Sequence, residues 1–402
     1  MADLLPVDEA RRRICDAMPL MAAEQVALRA ALGRVLAENA AARRTQPPHA
    51  VSAMDGYAVL AADVTALPAS LTVIGEVPAG QHFSGAVGPG QAVRIFTGAR
   101  VPDGADTIVI QENTLRDGDL VRVVDGEAPV GRFIRPAGLD FNQGDVLLEA
   151  PKKLTARDIG LAASMNLPWL MVRRAPRISL LATGDEIVMP GDPVGDNQIV
   201  SSNVLALHAF IRQHGGAPVD LGIAPDAEDS LRAMAEGARG TDMLVTTGGA
   251  SVGDHDLVQK VLGEMGLEVD FWRIAMRPGK PLMFGRIGDT MMLGLPGNPV
   301  SSLVCATIFL APAIAAMQGL AMDVSARQTA HLGSALPEND EREDYLRASL
   351  TRDGDSALIA TPFGKQDSSV FSGMAKADCL VIRPPFAPAA REGDVVSFIP
   401  LD

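Results

Sequence analysis

Residues 243–256 read Met-Leu-Val-Thr-Thr-Gly-Gly-Ala-Ser-Val-Gly-Asp-His-Asp. The apolar start is β-type, the threonines close it, and a Gly/Ser loop opens into the helical pattern of 256–265. A strand that empties into a loop and then a helix is the repeating unit of a parallel α/β sheet. A loop almost without side chains lets backbone N–H groups approach an anion closely. Asp254 and Asp256 beside it suggest a metal or a polar ligand edge. The first expectation is a protein that handles a phosphorylated small molecule.

The same texture extends on both sides. Strands are expected at 177–182, 217–222, 242–247 and 290–294, with helices at 201–214, 226–239, 256–265 and 299–317. This alternation predicts a doubly wound, mostly parallel sheet, whose ligands bind at the C-terminal ends of the strands. Four loops fall there: Thr183-Gly184-Asp185-Glu186, the turn at Asp226, the Gly/Ser loop, and Gly294-Leu295-Pro296-Gly297-Asn298-Pro299. Each has a plainer reading. A glycine after a strand is usually structural, Asp226 and Asp256 could cap helices, and Ser201, Ser202 or Asn203 could cap the helix after them. Convergence on one rim favours a site. Residues 271–286 add Arg273, Arg277, Lys280 and Arg286 with no acid among them. In a chain of net charge −14 this is a cationic island suited to phosphate or oxyanion, or else a solvated face.

Upstream, 7–18 and 27–39 carry helical apolar patterns. From 46 to about 150, short β-type runs (LTVIGEV, AVRIFTG, DTIVIQE, DLVRVVD) alternate with Gly/Pro turns, which predicts an all-β module. SAMDGYA (52–58), FTGA (96–99) and Gly104-Ala105-Asp106 read as hairpin turns. A helix returns over 153–172 with Thr155 as N-cap. The last 80 residues hold four more β runs, a small barrel or sandwich. The expected domains are 1–45 with 140–175 (elongated, helical), 46–139 (an inserted β domain), 176–325 (α/β) and 326–402 (a C-terminal β-barrel).

The acidic balance argues against nucleic acid as a partner. The apolar run near 303–317 is short of a membrane span and contains Pro312, so a buried helix is expected. Three scattered cysteines without C-x-x-C, and an N-terminal stretch without an apolar signal core, predict free thiols in a reducing cytoplasm. Dinucleotide, P-loop and zinc-protease fingerprints are missing from the sequence.

In order along the chain, SAMDGYA (52–58), FTGA (96–99), TGDE (183–186), TTGGASVGDHD (246–256), MRPGKP (276–281) and GLPGNPVS (294–301) resemble the molybdopterin molybdenumtransferase family, similar to the gephyrin E domain. The resemblance implies a four-part subunit and a homodimer with its site at the subunit interface. It implies the last step of molybdenum cofactor synthesis: molybdate and adenylylated molybdopterin enter, loaded cofactor and AMP leave, and Mg²⁺ assists. The adenylyltransferase of the same pathway and recipient molybdoenzymes are implied partners. Rival readings are the adenylylation step itself, a non-enzymatic scaffold and a molybdate sensor. Carried over by motif, Asp55, Thr97, Glu186, Asp226 and Asp256 are expected to serve catalysis, with Asp226 and Asp256 also as Mg²⁺ ligands. Asp140, Thr247, Gly248, Gly249, Ser251, Gly253, Arg273, Arg277, Lys280, Pro296, Gly297, Asn298, Pro299, Arg347 and Ser368 are expected to bind the substrate cofactor. The chain departs from the family at Leu139, where an acid is common, at Pro136 and Ala137, at Arg273 and Arg277, where lysines are frequent, and at Gln366–Ser369, which lacks the usual glycines.

Overall fold

The computed structural model describes residues 4–248, 257–321, 327–354 and 357–401. The chain forms two compact units: Met1–Glu24, Gly33–Val35 and Arg173–Asp402 make one, Gln25–Leu32 and Leu36–Val172 the other.

The first unit is built on a six-stranded sheet. Four parallel strands run in the order Ala217–Ala224, Arg177–Thr183, Met243–Thr247, Thr290–Leu295. Met283–Ile287 and Leu267–Trp272 extend that edge antiparallel. The central strands are apolar on both faces, as a sheet covered by helices on both sides requires. Helices Asn203–Gln213, Glu228–Ala235, Leu257–Glu264 and Pro299–Cys305 follow the four parallel strands as expected. The last helix continues through a π-turn, Ala306–Leu310, into Ala311–Met317. Among the described residues Pro299–Met317 is the one helix long and apolar enough to cross a membrane, and 83% of its apolar window is buried in this core. Val7, Ala10 and Ile14 of helix Val7–Ala17 pack into the same core beside Phe309 and Met317. Of these two, Met283–Ile287 falls at the end of the stretch 271–286 that sequence marked only by its charge, and Leu267–Trp272 overlaps its start.

At the C-terminal end of this unit, Glu343–Arg352, Leu358–Pro362, Gln328–Leu332, Val395–Pro400 and Cys379–Arg383 pair in a ring that closes on itself, a five-stranded barrel. Closure removes both exposed edges. Met276–Arg277 adds a short parallel strand to Glu343–Asp344.

The second unit holds a six-stranded sheet of Gly56–Val59, Ala69–Val77, Gln91–Ile95, Thr107–Ile110, Thr114–Asp117 and Leu120–Val123. The four β runs expected here are strands, but SAMDGYA, FTGA and Gly104–Asp106 are not hairpin turns. Val51–Ser52 pairs with Ile134–Arg135, whereas Gly56–Val59 lies between Gln91–Ile95 and Thr107–Ile110. Each of these turns therefore passes the chain between non-adjacent strands. Gly56 is required there: a Cβ would stand 1.9 Å from the Val109 carbonyl oxygen.

The helix expected over 27–39 is absent. Ala23–Ala27 and Val35–Leu36 are strands flanking Trp169–Arg173, joined through a single 3-10 turn, Leu28–Ala30. Gly33 at φ +75 reverses the chain, and Leu36 buries itself against Leu170 and Val172. Sheet pairing and burial outweigh the high helix propensity of alanine and leucine, a preference of only about 0.7 kcal/mol or less per residue over ordinary residues. The helix expected over 153–172 stops early. Ala156–Ser164 opens on a capping box, with Thr155 and Asp158 exchanging side-chain and backbone hydrogen bonds, and ends at Asn166 (φ +62) before Pro168.

Candidate functional site

In the α/β unit, two of the four expected loops meet through Asn203, and a third, at Thr183, meets them at Gly248. Its side-chain amide donates to Thr247 Oγ1 at 2.8 Å and to the Gly297 carbonyl at 2.6 Å. Asn203 is thus a clasp rather than a helix cap, and Ser202, at the N-cap position, makes no side-chain cap bond. Gly248 sits at φ +93 with the Thr183 carbonyl 2.7 Å from where a Cβ would be, and Gly297 packs on its other side. Only glycine fits a backbone that is both left-handed and this close to a neighbouring strand end. Thr183, Thr247, Gly248 and Gly297 form one rim.

The remaining loop joins through acids. The Asp226 N–H donates to Asp185 Oδ1 at 3.0 Å, and Asp226 and Glu186 are exposed beside it. Asp226 lies one residue before the N-cap, Ala227, and does not cap the helix. Hard carboxylate oxygens in an open, wet setting suit Mg²⁺, which keeps several waters and needs one or two protein carboxylates. Gly249, Ser251, Gly253 and Asp256 lie outside the described residues.

Pro296 is buried and Pro299 is the first residue of its helix, so the 296–299 loop is stiff at both ends. Asn298 Nδ2 donates to Ser368 Oγ at 3.0 Å, and the Val300 N–H to the Ser368 carbonyl at 3.2 Å. Ser368 therefore stands at this rim. Arg347 stands behind it. It is 1% exposed, and its guanidinium donates to Gln366 Oε1, the Val370 carbonyl and the Lys365 carbonyl. Its donors hold the loop that carries Ser368. Gln366 Oε1 takes the Arg347 Nε–H at 3.3 Å, and the two carbonyls take its terminal nitrogens.

The cationic island is divided. Arg277 is engaged by Asp340 at 3.1 Å, by Asn339 at 3.2 Å and by Asp344. Arg286 pairs with Glu268 at 2.8 Å. Among the described residues Arg273 and Lys280 make no ion pair. Arg273 lies 5.7 Å over the Trp272 ring, a cation–π distance, and its backbone is held at φ +104. Gly279 packs against Cys305, which sets the 278–280 turn on the helix that begins at Pro299. The acids that quench Arg277 lie more than 60 positions downstream, too far for charge patterning to reveal. Asn203 was readable only as a polar residue near a helix start.

In the second unit, Asp55 Oδ1 accepts from both the backbone N–H and the Oγ1 of Thr97, each at 2.7 Å. These bonds hold the Asp55 carboxyl below the usual carboxylate range. The residue is half-buried, and one carboxylate oxygen is engaged by Thr97. Arg94 fixes the turn: it donates to the Gly56 carbonyl at 2.9 Å and lies 4.7 Å over the Phe96 ring. Asp140 is exposed and follows the Arg135–Gly138 turn.

None of the three thiols is poised to react. All are buried and free, and burial pushes Cys15 to about 11 and Cys379 to about 12, and raises Cys305 as well.

A clasped, glycine-walled rim on a doubly wound sheet, with carboxylates beside it, stands at the strand ends where folds of this class bind small molecules. Three family descriptions cover the chain: "MoeA N-terminal region (domain I and II)" over 5–166, "Probable molybdopterin binding domain" over 179–316 and "MoeA C-terminal region (domain IV)" over 329–401. A molybdopterin molybdenumtransferase of Nostoc sp. is 36% identical over 90% of this chain and 85% of its own length. One of Haemophilus influenzae is 32% identical over 99% of both. A crystal structure of the molybdopterin biosynthesis MoeA protein of Pyrococcus horikoshii superposes with a TM-score of 0.85 at 30% identity, covering 99% of each chain. The chain belongs to the molybdopterin molybdenumtransferase family.

Proposed function

We propose that this chain inserts molybdenum from molybdate into adenylylated molybdopterin and releases AMP, the final step of molybdenum cofactor synthesis. The observation that carries the reading is the Asn203 clasp. It joins Thr247, Gly248 and Gly297 into one rim, and two of the family's motifs converge there. Molybdate and the substrate's pyrophosphate are both anions, so their approach needs fixed positive charge. Arg273 and Lys280, without ion pairs among the described residues, supply it, Lys280 on the turn packed against the Pro299 helix. The N-terminus of that helix and the backbone N–H of Gly248 add dipoles of the same sign. Ser368 and Asn298 offer neutral donors. Glu186 and Asp226 would repel an oxyanion directly; they suit the N–H edge of a pterin, or Mg²⁺ together with Asp256. Bound Mg²⁺ would neutralise phosphate oxygens as the pyrophosphate bond breaks. The metal-receiving dithiolene sulfurs belong to the substrate, which fits the unreactive thiols of the chain.

Asp55 and Thr97 complete the reading as a site contributed in trans, in a homodimer working in the cytoplasm. The adenylyltransferase and recipient molybdoenzymes are its natural partners. Supplying the protein with ATP and molybdopterin separates this reading from the adenylylation step. No pyrophosphate is expected, whereas adenylylated molybdopterin with molybdate should yield loaded cofactor. Steady pyrophosphate release would overturn the assignment.

A further inference from the structure

Asp55 and Thr97 sit on two turns 42 positions apart, and one side chain reaches both turns. Arg94 lies in strand Gln91–Ile95, directly opposite Tyr57 in the antiparallel ladder with Gly56–Val59. Opposed residues share a face, and the guanidinium carbon stands 5.2 Å from the centroid of the buried Tyr57 ring. From there the guanidinium meets the chain beside each member of the pair. One terminal nitrogen donates to the carbonyl of Gly56, the residue after Asp55, at 2.9 Å. The same guanidinium lies 4.7 Å over the ring of Phe96, the residue before Thr97. The other terminal nitrogen donates to Gln111 Oε1 at 2.5 Å, and the Gln111 N–H donates to the Asp55 carbonyl at 3.1 Å.

This set of contacts needs an arginine. A guanidinium offers forked donors in one plane and flat faces for aromatic rings, whereas lysine offers a point charge. Its charge also acts on the neighbour. The Thr97 N–H and hydroxyl first, and then the Arg94 guanidinium, hold the Asp55 carboxyl below the usual carboxylate range against its partial burial. Other charged groups stand on the surrounding elements. Glu76 is opposite Arg94 in the parallel ladder, Glu112 accepts from Gln111 Nε2 at 3.4 Å, Arg135 is opposite Val51, and Arg100 is bridged to Val51. None of these four makes a hydrogen bond or ion pair with Asp55 among the described residues.

We propose that Arg94 is a positioning residue for molybdenum insertion: it locks the Asp55 and Thr97 turns together, orients the Asp55 carboxylate and supplies the positive charge beside it. It acts through Asp55 and not on the substrate. Arg94 lies outside both motifs that carry the pair, SAMDGYA and FTGA. The proposal rests on the reading that Asp55 serves the reaction.

Two readouts on the full chain test it. Molybdenum insertion is measured across pH, and the Asp55 carboxyl is titrated by carbon NMR in aspartate-labelled protein, its signal assigned by its loss in Asp55→Asn. Arg94→Gln should lower kcat by roughly tenfold or more, with little change in KM, because a misaimed group costs rate rather than binding. Its Asp55 should titrate at higher pH, and the acid limb of the activity profile should move up with it. Arg94→Lys returns the charge without the fork. It should bring the titration back toward wild type and restore only part of kcat. Near-ultraviolet circular dichroism checks that each variant is folded. Gln111→Ala, a milder cut that unties one guanidinium nitrogen, should lower kcat in the same direction. An Asp55 titration unmoved in Arg94→Gln would overturn the proposal. So would an Arg94→Lys variant as damaged as Arg94→Gln in both readouts, which would make the arginine a structural brace. Asp55→Asn inserting molybdenum at the normal rate would overturn the role of Asp55 instead; the Arg94→Gln titration, which needs no activity, separates the two failures.

Discussion

Asp55 and Asp344 show how differently two carboxylates can be used. Asp55 is half-buried outside the hydrophobic core, and its charge is stabilised by Thr97. Asp55→Ala should leave the fold intact, because no core contact is lost, and should abolish molybdenum insertion. A near-normal insertion rate in a variant with unchanged melting would remove Asp55 from the site. Asp344 is 5% exposed, and burial pushes its carboxyl up although Arg277 faces it. Removing Arg277 should therefore cost stability before it costs ligand binding. Breaking a buried pair costs about 3–5 kcal/mol; with Arg277 itself 47% exposed, roughly 1–3 kcal/mol is expected. The sign with pH follows. A carboxyl raised in the folded state favours folding when protonated and loses that contribution as pH rises through its folded pKa. Arg277→Ala raises Asp344 further, so its deficit in urea unfolding should be largest near neutrality and shrink as pH falls toward about 4. A deficit that is flat with pH would mean packing rather than charge. Arg277 was legible as a cation, but not as a neutralised one, because its partners lie in a different stretch of sequence.

Elements were legible where one signal dominated. Met243–Thr247 and Arg177–Thr183 are short, largely apolar runs that close on threonine and stop at glycine, and both are strands. The run 27–39 read as a helix, but its alanines and leucines settle in the strands that Trp169–Arg173 pairs with. The rim itself was visible as motifs but its clasp was not, since Asn203 acts across 44 positions to reach Thr247. Gly248→Ala should strain the rim, with φ +93 and the Thr183 carbonyl at 2.7 Å both opposed to a Cβ. It should raise the KM for adenylylated molybdopterin and cost about 1–3 kcal/mol in unfolding; a variant with unaltered KM would show that the rim does not touch the substrate. The helix Ala156–Ser164 makes a separate test. Thr155→Ala removes its cap and should cost about 1 kcal/mol. Asp158, held down to about 2 by Lys152 and Thr155 against its burial, contributes stability above the ordinary aspartate range that is lost as pH falls toward its folded value. Unfolding measured from pH 7 downward should show the cap's contribution fading with acid.

At the scale of the molecule, the family reading was legible because its motifs are spread through both units, from Ser52 to Ser301. What the sequence could not show is which charges stay available once folded. The proposed in-trans site has a direct consequence for mixed subunits. An Asp55→Ala chain and a Glu186→Ala chain, each inactive alone, should recover about a quarter of wild-type activity when refolded together, since half the dimers would carry one intact site. No recovery would place both residues in the same subunit's site.

The central claim is chemical, and a single-turnover measurement reaches it most directly. Purified protein is mixed with adenylylated molybdopterin, and AMP is followed with and without molybdate. The account predicts AMP release that requires molybdate and matches the molybdenum-loaded cofactor formed. AMP release that ignores molybdate, or no release at all from folded protein, would contradict it.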